Sequence, residues 1–112
     1  MTTGLQVIFI EDDELVRRAS VQSLQLAGFE VTGFGSVEAA SRLIDASFPG
    51  VIVSDIRLPG ASGLDLLAQC HERAPEVPVI LVTGHGDISM AVQAMRDGAY
   101  DFIEKPDRKS VV

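Results

Sequence analysis

The sequence predicts a doubly wound α/β domain built on a five-stranded parallel sheet. Three observations carry that expectation. Short apolar runs alternate with helically spaced apolar stripes along the whole chain. Three of those runs, VIFI, VIVS and VPVILV, are apolar at nearly every position, as a strand covered on both faces requires. No repeat, low-complexity segment or linker interrupts the alternation. Strands that alternate with helices become parallel neighbours through right-handed crossovers, with helices on both faces of the sheet.

Strand-like runs lie at Leu5–Ile10, Glu30–Gly33, Val51–Ser54, Val77–Val82 and Tyr100–Ile103. The first helix is expected over Leu15–Ala27, with Val16, Ala19, Ser23, Leu24 and Ala27 on its inward stripe and Gly28 at its C-terminal stop. Asp13 and Glu14 precede it, where acids cap a helix and favour its dipole. Ser36 is the expected N-cap of the second helix, with Glu38 in its first turn and Val37, Ala40, Leu43 and Ile44 facing inward. Leu64–Arg73 forms the third helix, stopped before Pro75, with Leu66, Leu67 and Cys70 inward. Ile88, Ala91, Val92 and Met95 follow i, i+3, i+4, i+7 spacing in the fourth, and Gly98 lies just past its end.

Composition bounds what such a domain does. A chain of 112 residues, 46% hydrophobic, suits one domain around one core. Its net charge of −7, with basic residues scattered apart from Arg17-Arg18 and Arg108-Lys109, argues against direct binding to nucleic acid, which rests on Lys and Arg neutralising phosphates. No apolar stretch approaches the ~20 residues of a membrane helix, and MTTGLQ lacks the pattern of a secretory signal. One cysteine, Cys70, allows no internal disulfide and reads as a buried, inert thiol; a cytoplasmic location is the expectation. His71 reads as a solvated helix residue and His85 as a surface-loop histidine.

Doubly wound sheets place their ligand site outside the carboxyl ends of the strands. There the sequence sets Glu11 and Asp12 after the first strand, Asp55 after the third, Thr83 after the fourth and Lys105 after the fifth. Two carboxylates ~4 Å apart repel by about 4 kcal/mol at an effective dielectric near 20. Three in one cleft call for a cation between them. Oxygen-only ligands suit Mg²⁺, and no Cys/His cluster offers zinc a softer site. A hard dication, a hydroxyl and a lysine complement a phosphoryl group, with Asp55 as the carboxylate nucleophile.

The acidic pair in FIEDDE, the D-x-x-L-P-x-x-S-G pattern from Asp55 to Gly63, Thr83, and Lys105-Pro106 resemble the receiver domain of two-component response regulators. The resemblance implies sheet order 2-1-3-4-5, a receiver domain over residues 1–106, and Asp55 as acceptor of a phosphoryl group from a histidine kinase. It implies Mg²⁺ bound by Asp12, Asp55 and the Arg57 carbonyl, with Glu11 acting through water. Thr83 and Lys105 would bind the phosphoryl oxygens. Phe102 stands where the family has its switch aromatic, and the Lys105-Pro106 bond would be cis. Such a domain catalyses only its own phosphotransfer and autodephosphorylation; it is a switch more than a turnover enzyme. VTGHGDISMAVQAMRDGAYDFIEKP further resembles receivers of the nitrogen-fixation and C4-dicarboxylate-transport regulators, which control transcription.

Two departures stand out. Asp107 occupies a position usually aromatic in the family, and only DRKSVV, residues 107–112, stands where a fifth helix of about three turns is expected. The fifth helix is therefore expected to be truncated or absent. Either the chain is part of a longer regulator or a second copy covers the open sheet face, self-association there or through the fourth helix and fifth strand being the expectation. Two other classes compete. One is a receiver-like interaction module that is never phosphorylated; the other is a small aspartate-nucleophile phosphatase, which would need its nucleophile after the first strand.

Overall fold

A computed structural model describes residues 4–84 and 86–105. Its elements run β1 (Gln6–Ile10), α1 (Glu14–Leu26), β2 (Glu30–Phe34), α2 (Val37–Ala40), a 3₁₀ turn (Ser41–Leu43), β3 (Val51–Asp55), α3 (Gly63–Arg73), β4 (Val79–Thr83), α4 (Ile88–Arg96) and β5 (Asp101–Glu104). The five strands form one parallel sheet in the order β2-β1-β3-β4-β5. The doubly wound fold and the implied strand order are both present. The expected tail at 107–112, the Lys105-Pro106 bond and His85 lie outside the described residues.

Period-two burial shows how the sheet is covered. Ile8, Ile10, Ile52 and Leu81 point to one face and pack with Val37, Ala40, Ile44, Leu66, Leu67, Cys70 and Ala94. That cluster, drawn from α2, α3 and α4, is the main core. Among the described residues the opposite face carries α1 alone. Burial of Val51, Val53, Ile80 and Val82 on that face is only partial, where consecutive apolar positions predict cover on both sides. With Leu5, Phe9, Leu24 and Ile103 they line an open groove beside α1.

Capping explains where the helices begin. Asp13 accepts from the amides of Leu15 and Val16 at 3.0 and 3.1 Å, as expected of that acid. Ser36 accepts from Ala39 N at 3.1 Å. Ser62 and Asp65 form a reciprocal capping box that starts α3.

Three inward stripes differ from the sequence expectation. On α1 the half-buried residues are Arg17, Ser20, Val21 and Leu24, while Ala19, Ser23 and Ala27 are exposed. The helix packs against β2, where a Cβ on Gly33 would lie 3.0 Å from Val21 and 3.3 Å from Arg17, so the bare glycine draws that side of the helix in. On α2, Val37, Ala40 and Ile44 are buried but Leu43 is 44% exposed. Ser41 Oγ donates to Val37 O at 3.0 Å and the chain tightens to a 3₁₀ turn, whose period of three rotates Leu43 outward. On α4 the small residues Ala91 and Ala94 meet the sheet, while Ile88, Val92 and Met95 remain exposed. Among the described residues no helix is long and apolar enough to cross a membrane.

Candidate functional site

The carboxyl ends of β1, β3 and β5 bring their acids and lysine together. Parallel pairing of β1 with β3 sets Ile10 beside Ser54, so the residues that follow each strand emerge side by side. Carboxylate oxygens of Glu11, Asp12 and Asp55 lie within 4.8 Å of one another. Glu11 and Asp55 are buried, and Asp12 is exposed at the rim. Lys105 Nζ donates to Asp55 Oδ2 at 2.6 Å and to Glu11 Oε1 at 3.3 Å. Sheet register holds that lysine in place, since its backbone N–H donates to Thr83 O at 2.7 Å.

Backbone contacts fix the acids further. Arg57 N donates to Asp55 Oδ1 at 3.1 Å, and Asp13 N donates to Glu11 Oε2 at 3.1 Å. Ser54 Oγ, fully buried, donates to the Asp55 carbonyl at 2.9 Å. Thr83 ends β4 one residue beyond Val82, the register partner of Asp55. Its hydroxyl is buried and has no hydrogen-bond partner among the described residues. Phe102 pairs in register with Leu81, two residues before Thr83, and is half-buried against the core.

Electrostatics follow from this crowding. Burial raises the Glu11 carboxyl above its ordinary value, helped by the negative charge on Asp55 and opposed by the Asp13 amide and Lys105. Burial works to lower Lys105, but hydrogen bonding and charge from Asp55 and Glu11 outweigh it and the ammonium is held above its ordinary value. Three carboxylates face one ammonium, so the cleft carries uncompensated negative charge. The donor set is all oxygen, and the cleft fits a hard divalent cation bound by carboxylates and water. Cys70, on the far side of the core, is pushed up to about 11 by burial and is an unreactive thiol, as expected.

Two contributors were not foreseen. Arg17 Nη1 donates to the Glu11 carbonyl at 2.9 Å and braces the turn that carries the acidic pair. Its side chain lies over Gly33 and Gly35, where a Cβ would approach it to 3.3 and 3.2 Å. Two glycines at alternate positions, Gly33 in β2 and Gly35 just past it, were the available signal for a long side chain crossing the end of that strand. The second is Asp87, buried ahead of α4 and paired with Arg57; its place before an apolar helical run carries no signal of that pairing.

The orphaned Thr83 hydroxyl has a measurable consequence. A buried polar group without a partner costs about 1–3 kcal/mol. Thr83→Val keeps the shape and removes that group, so the variant is expected to be more stable by about 1 kcal/mol. Urea unfolding shows this as a higher midpoint at unchanged slope.

A parallel 2-1-3-4-5 sheet with this acidic cleft and lysine defines a receiver domain. The family model for the response regulator receiver domain matches residues 7–112, and the chain belongs to that family. It is 51% identical over 106 residues to the C4-dicarboxylate transport transcriptional regulatory protein DctD of Rhizobium meliloti, covering 95% of this chain and 23% of that one. It is 44% identical over 109 residues to the transcriptional regulatory protein FixJ of Azorhizobium caulinodans, covering 95% of this chain and 50% of that one. Among solved structures, FixJ-N superposes with a TM-score of 0.85 at 39% identity, covering 98% of this chain and 88% of that chain. The resemblance to nitrogen-fixation and C4-dicarboxylate regulators is thus met. The chain spans about a quarter of the length of the DctD relatives it matches.

Proposed function

We propose that this receiver domain accepts a phosphoryl group on Asp55 from a sensor histidine kinase, in a Mg²⁺-dependent reaction, and serves as the regulatory part of a transcriptional regulator. The observation that carries the reading is that Asp55 is the one carboxylate shared by the cation cluster and the closest Lys105 contact. A nucleophile needs a cation on one side to screen its attack and a second on the other to receive the new charge.

In the reaction, an Asp55 carboxylate oxygen bonds phosphorus as the P–N bond to the donor histidine breaks, and the imidazole departs. Asp12, Asp55 and the Arg57 carbonyl would hold Mg²⁺, with Glu11 acting through water, and the ion would supply charge neutralisation on the transferred oxygens. Lys105 leaves the carboxylate for a phosphoryl oxygen. The Thr83 hydroxyl, lacking a partner beforehand, donates to another. Its movement vacates space toward which the Phe102 ring turns, altering the α4–β5 surface. That surface already exposes Ile88, Val92, Met95 and Tyr100, an apolar set suited to self-association or to an effector domain. Phosphorylation selects between two arrangements of this surface and does not build a new one.

Intact mass after incubation with acetyl phosphate tests the reading. One added phosphoryl group is expected, dependent on Mg²⁺ and absent in Asp55→Asn. No added mass in a folded sample would give precedence to the interaction-module reading; turnover of a generic phosphomonoester would favour the phosphatase.

A further inference from the structure

Asp87 stands at the N-cap of α4, yet its side chain makes no hydrogen bond to that helix. The caps of α1, α2 and α3 (Asp13, Ser36 and Ser62) all bond their own helices. Aspartate is among the best residues at this position because its oxygen satisfies the amide at N2 or N3. Here the carboxylate turns away. Its Oδ2 accepts from Gly84 N at 3.3 Å, and its Oδ1 accepts from Arg57 Nε at 2.5 Å. The Asp87 side chain is 7% exposed, whereas that of Arg57 is 68% exposed, so the partner reaches in from the surface.

These contacts form a continuous line across the site. Arg57 touches Asp55 through its backbone N–H and Asp87 through its guanidinium. Asp87 in turn holds Gly84, the residue after Thr83. One carboxylate therefore links the loop leaving β3 to the turn leaving β4, and the Arg57–Asp87 contact spans 30 positions of sequence.

We propose that Asp87 is a positioning residue with two alternative bonding states. Before phosphorylation it ties Arg57 to Gly84 and restrains the Thr83–Gly84 backbone. Afterwards, as Thr83 moves toward the phosphoryl group, the Gly84 contact opens and the carboxylate caps α4 through the amides of Ser89 and Met90. The charge state of Asp55 is thereby converted into stability of the first turn of α4. The second half rests on the phosphotransfer reading given above; the first half does not.

The experiment uses the ¹⁵N-labelled chain as wild type, Arg57→Ala, Asp87→Asn and the double variant. Without a phosphoryl donor, Arg57→Ala is expected to shift the Thr83 and Gly84 amide resonances. In the Asp87→Asn background the same change should move them less than half as far, because the link is already broken. Unmoved Gly84 resonances in Arg57→Ala, or shifts that simply add in the double variant, would overturn the tether. With acetyl phosphate and Mg²⁺, exchange of the Ser89 and Met90 amides in the wild type should slow by about fivefold, the ordinary effect of one cap, and Asp87→Asn should lose that slowing. Phosphorylation with unchanged exchange at both amides would overturn the capping state. Absence of phosphoryl mass on the wild type would instead overturn the phosphotransfer reading, and the donor-free spectra would still decide the tether.

Discussion

Lys105→Ala is expected to lower the rate of Asp55 phosphorylation by acetyl phosphate about 100-fold while raising the affinity of the acidic cleft for Mg²⁺. The two effects have one origin. Lys105 Nζ donates to Asp55 at 2.6 Å and to Glu11 at 3.3 Å, so in the resting state it competes with a dication for the same oxygens. Its removal leaves three carboxylates without their shared ammonium, and a cation meets less competition. The transition state loses a preorganised positive group where charge develops on the phosphoryl oxygens, a loss that typically costs 10²–10³ in rate. Mg²⁺ titration and the time course of phosphoryl mass, measured on the same sample, separate the two. Tighter Mg²⁺ binding together with an unchanged rate would show that Lys105 is only a structural counter-ion.

Gly50→Ala is expected to remove about 3 kcal/mol or more of stability, a large share of the ~5–15 kcal/mol that holds a domain of this size. A Cβ at Gly50 would lie 1.9 Å from the carbonyl oxygen of Gln6 and 2.7 Å from its carbon. Both are backbone atoms, so no rotamer change relieves the overlap. Gln6 opens β1, whose neighbours are β2 and β3, and any shift there propagates into both pairings that β1 makes. Glu11 and Asp55 ride on those strands, so the acidic cleft would lose its spacing as well. The urea midpoint of the variant, read against the wild type, checks the expectation; a change within 0.5 kcal/mol, ordinary for a surface site, would mean that the chain at Gly50 can move freely.

Much of this molecule is legible without coordinates, and the particular residues show why. Buried strands announce themselves by apolar runs, and helices by spacing and caps, because both depend on neighbours within a few positions. Asp13, Ser36 and the Leu66–Leu67–Cys70 stripe behave as their local pattern requires. The residues at the strand ends were identifiable because a parallel sheet exposes its carboxyl edge as one row. The order of the strands was not contained in that pattern; it came from resemblance to a family, and the register agrees with it.

The stripes of α1 and α4 were misjudged because periodicity gives the width of an apolar face but not its partner. Gly33 draws Arg17 and Val21 inward on α1. On α4 two alanines take the sheet side, and the larger side chains are left outside. In each case the smallest residues, which carry the weakest hydrophobic signal, decide which side of the helix can come close.

By itself, then, the sequence determined the alternation of elements, the acids, the hydroxyl and the lysine at the carboxyl edge, and the chemistry that such a set can perform. Tertiary structure alone decided that Lys105 pairs with Asp55 and Glu11, 50 and 94 positions away. It also decided that Arg17 braces the acidic turn, that Thr83 is left without a partner, and that Asp87 gives up its cap to Arg57 and Gly84. Local preference is set by a residue and its near neighbours, whereas a hydrogen-bond partner is set by which strands lie side by side and in what register.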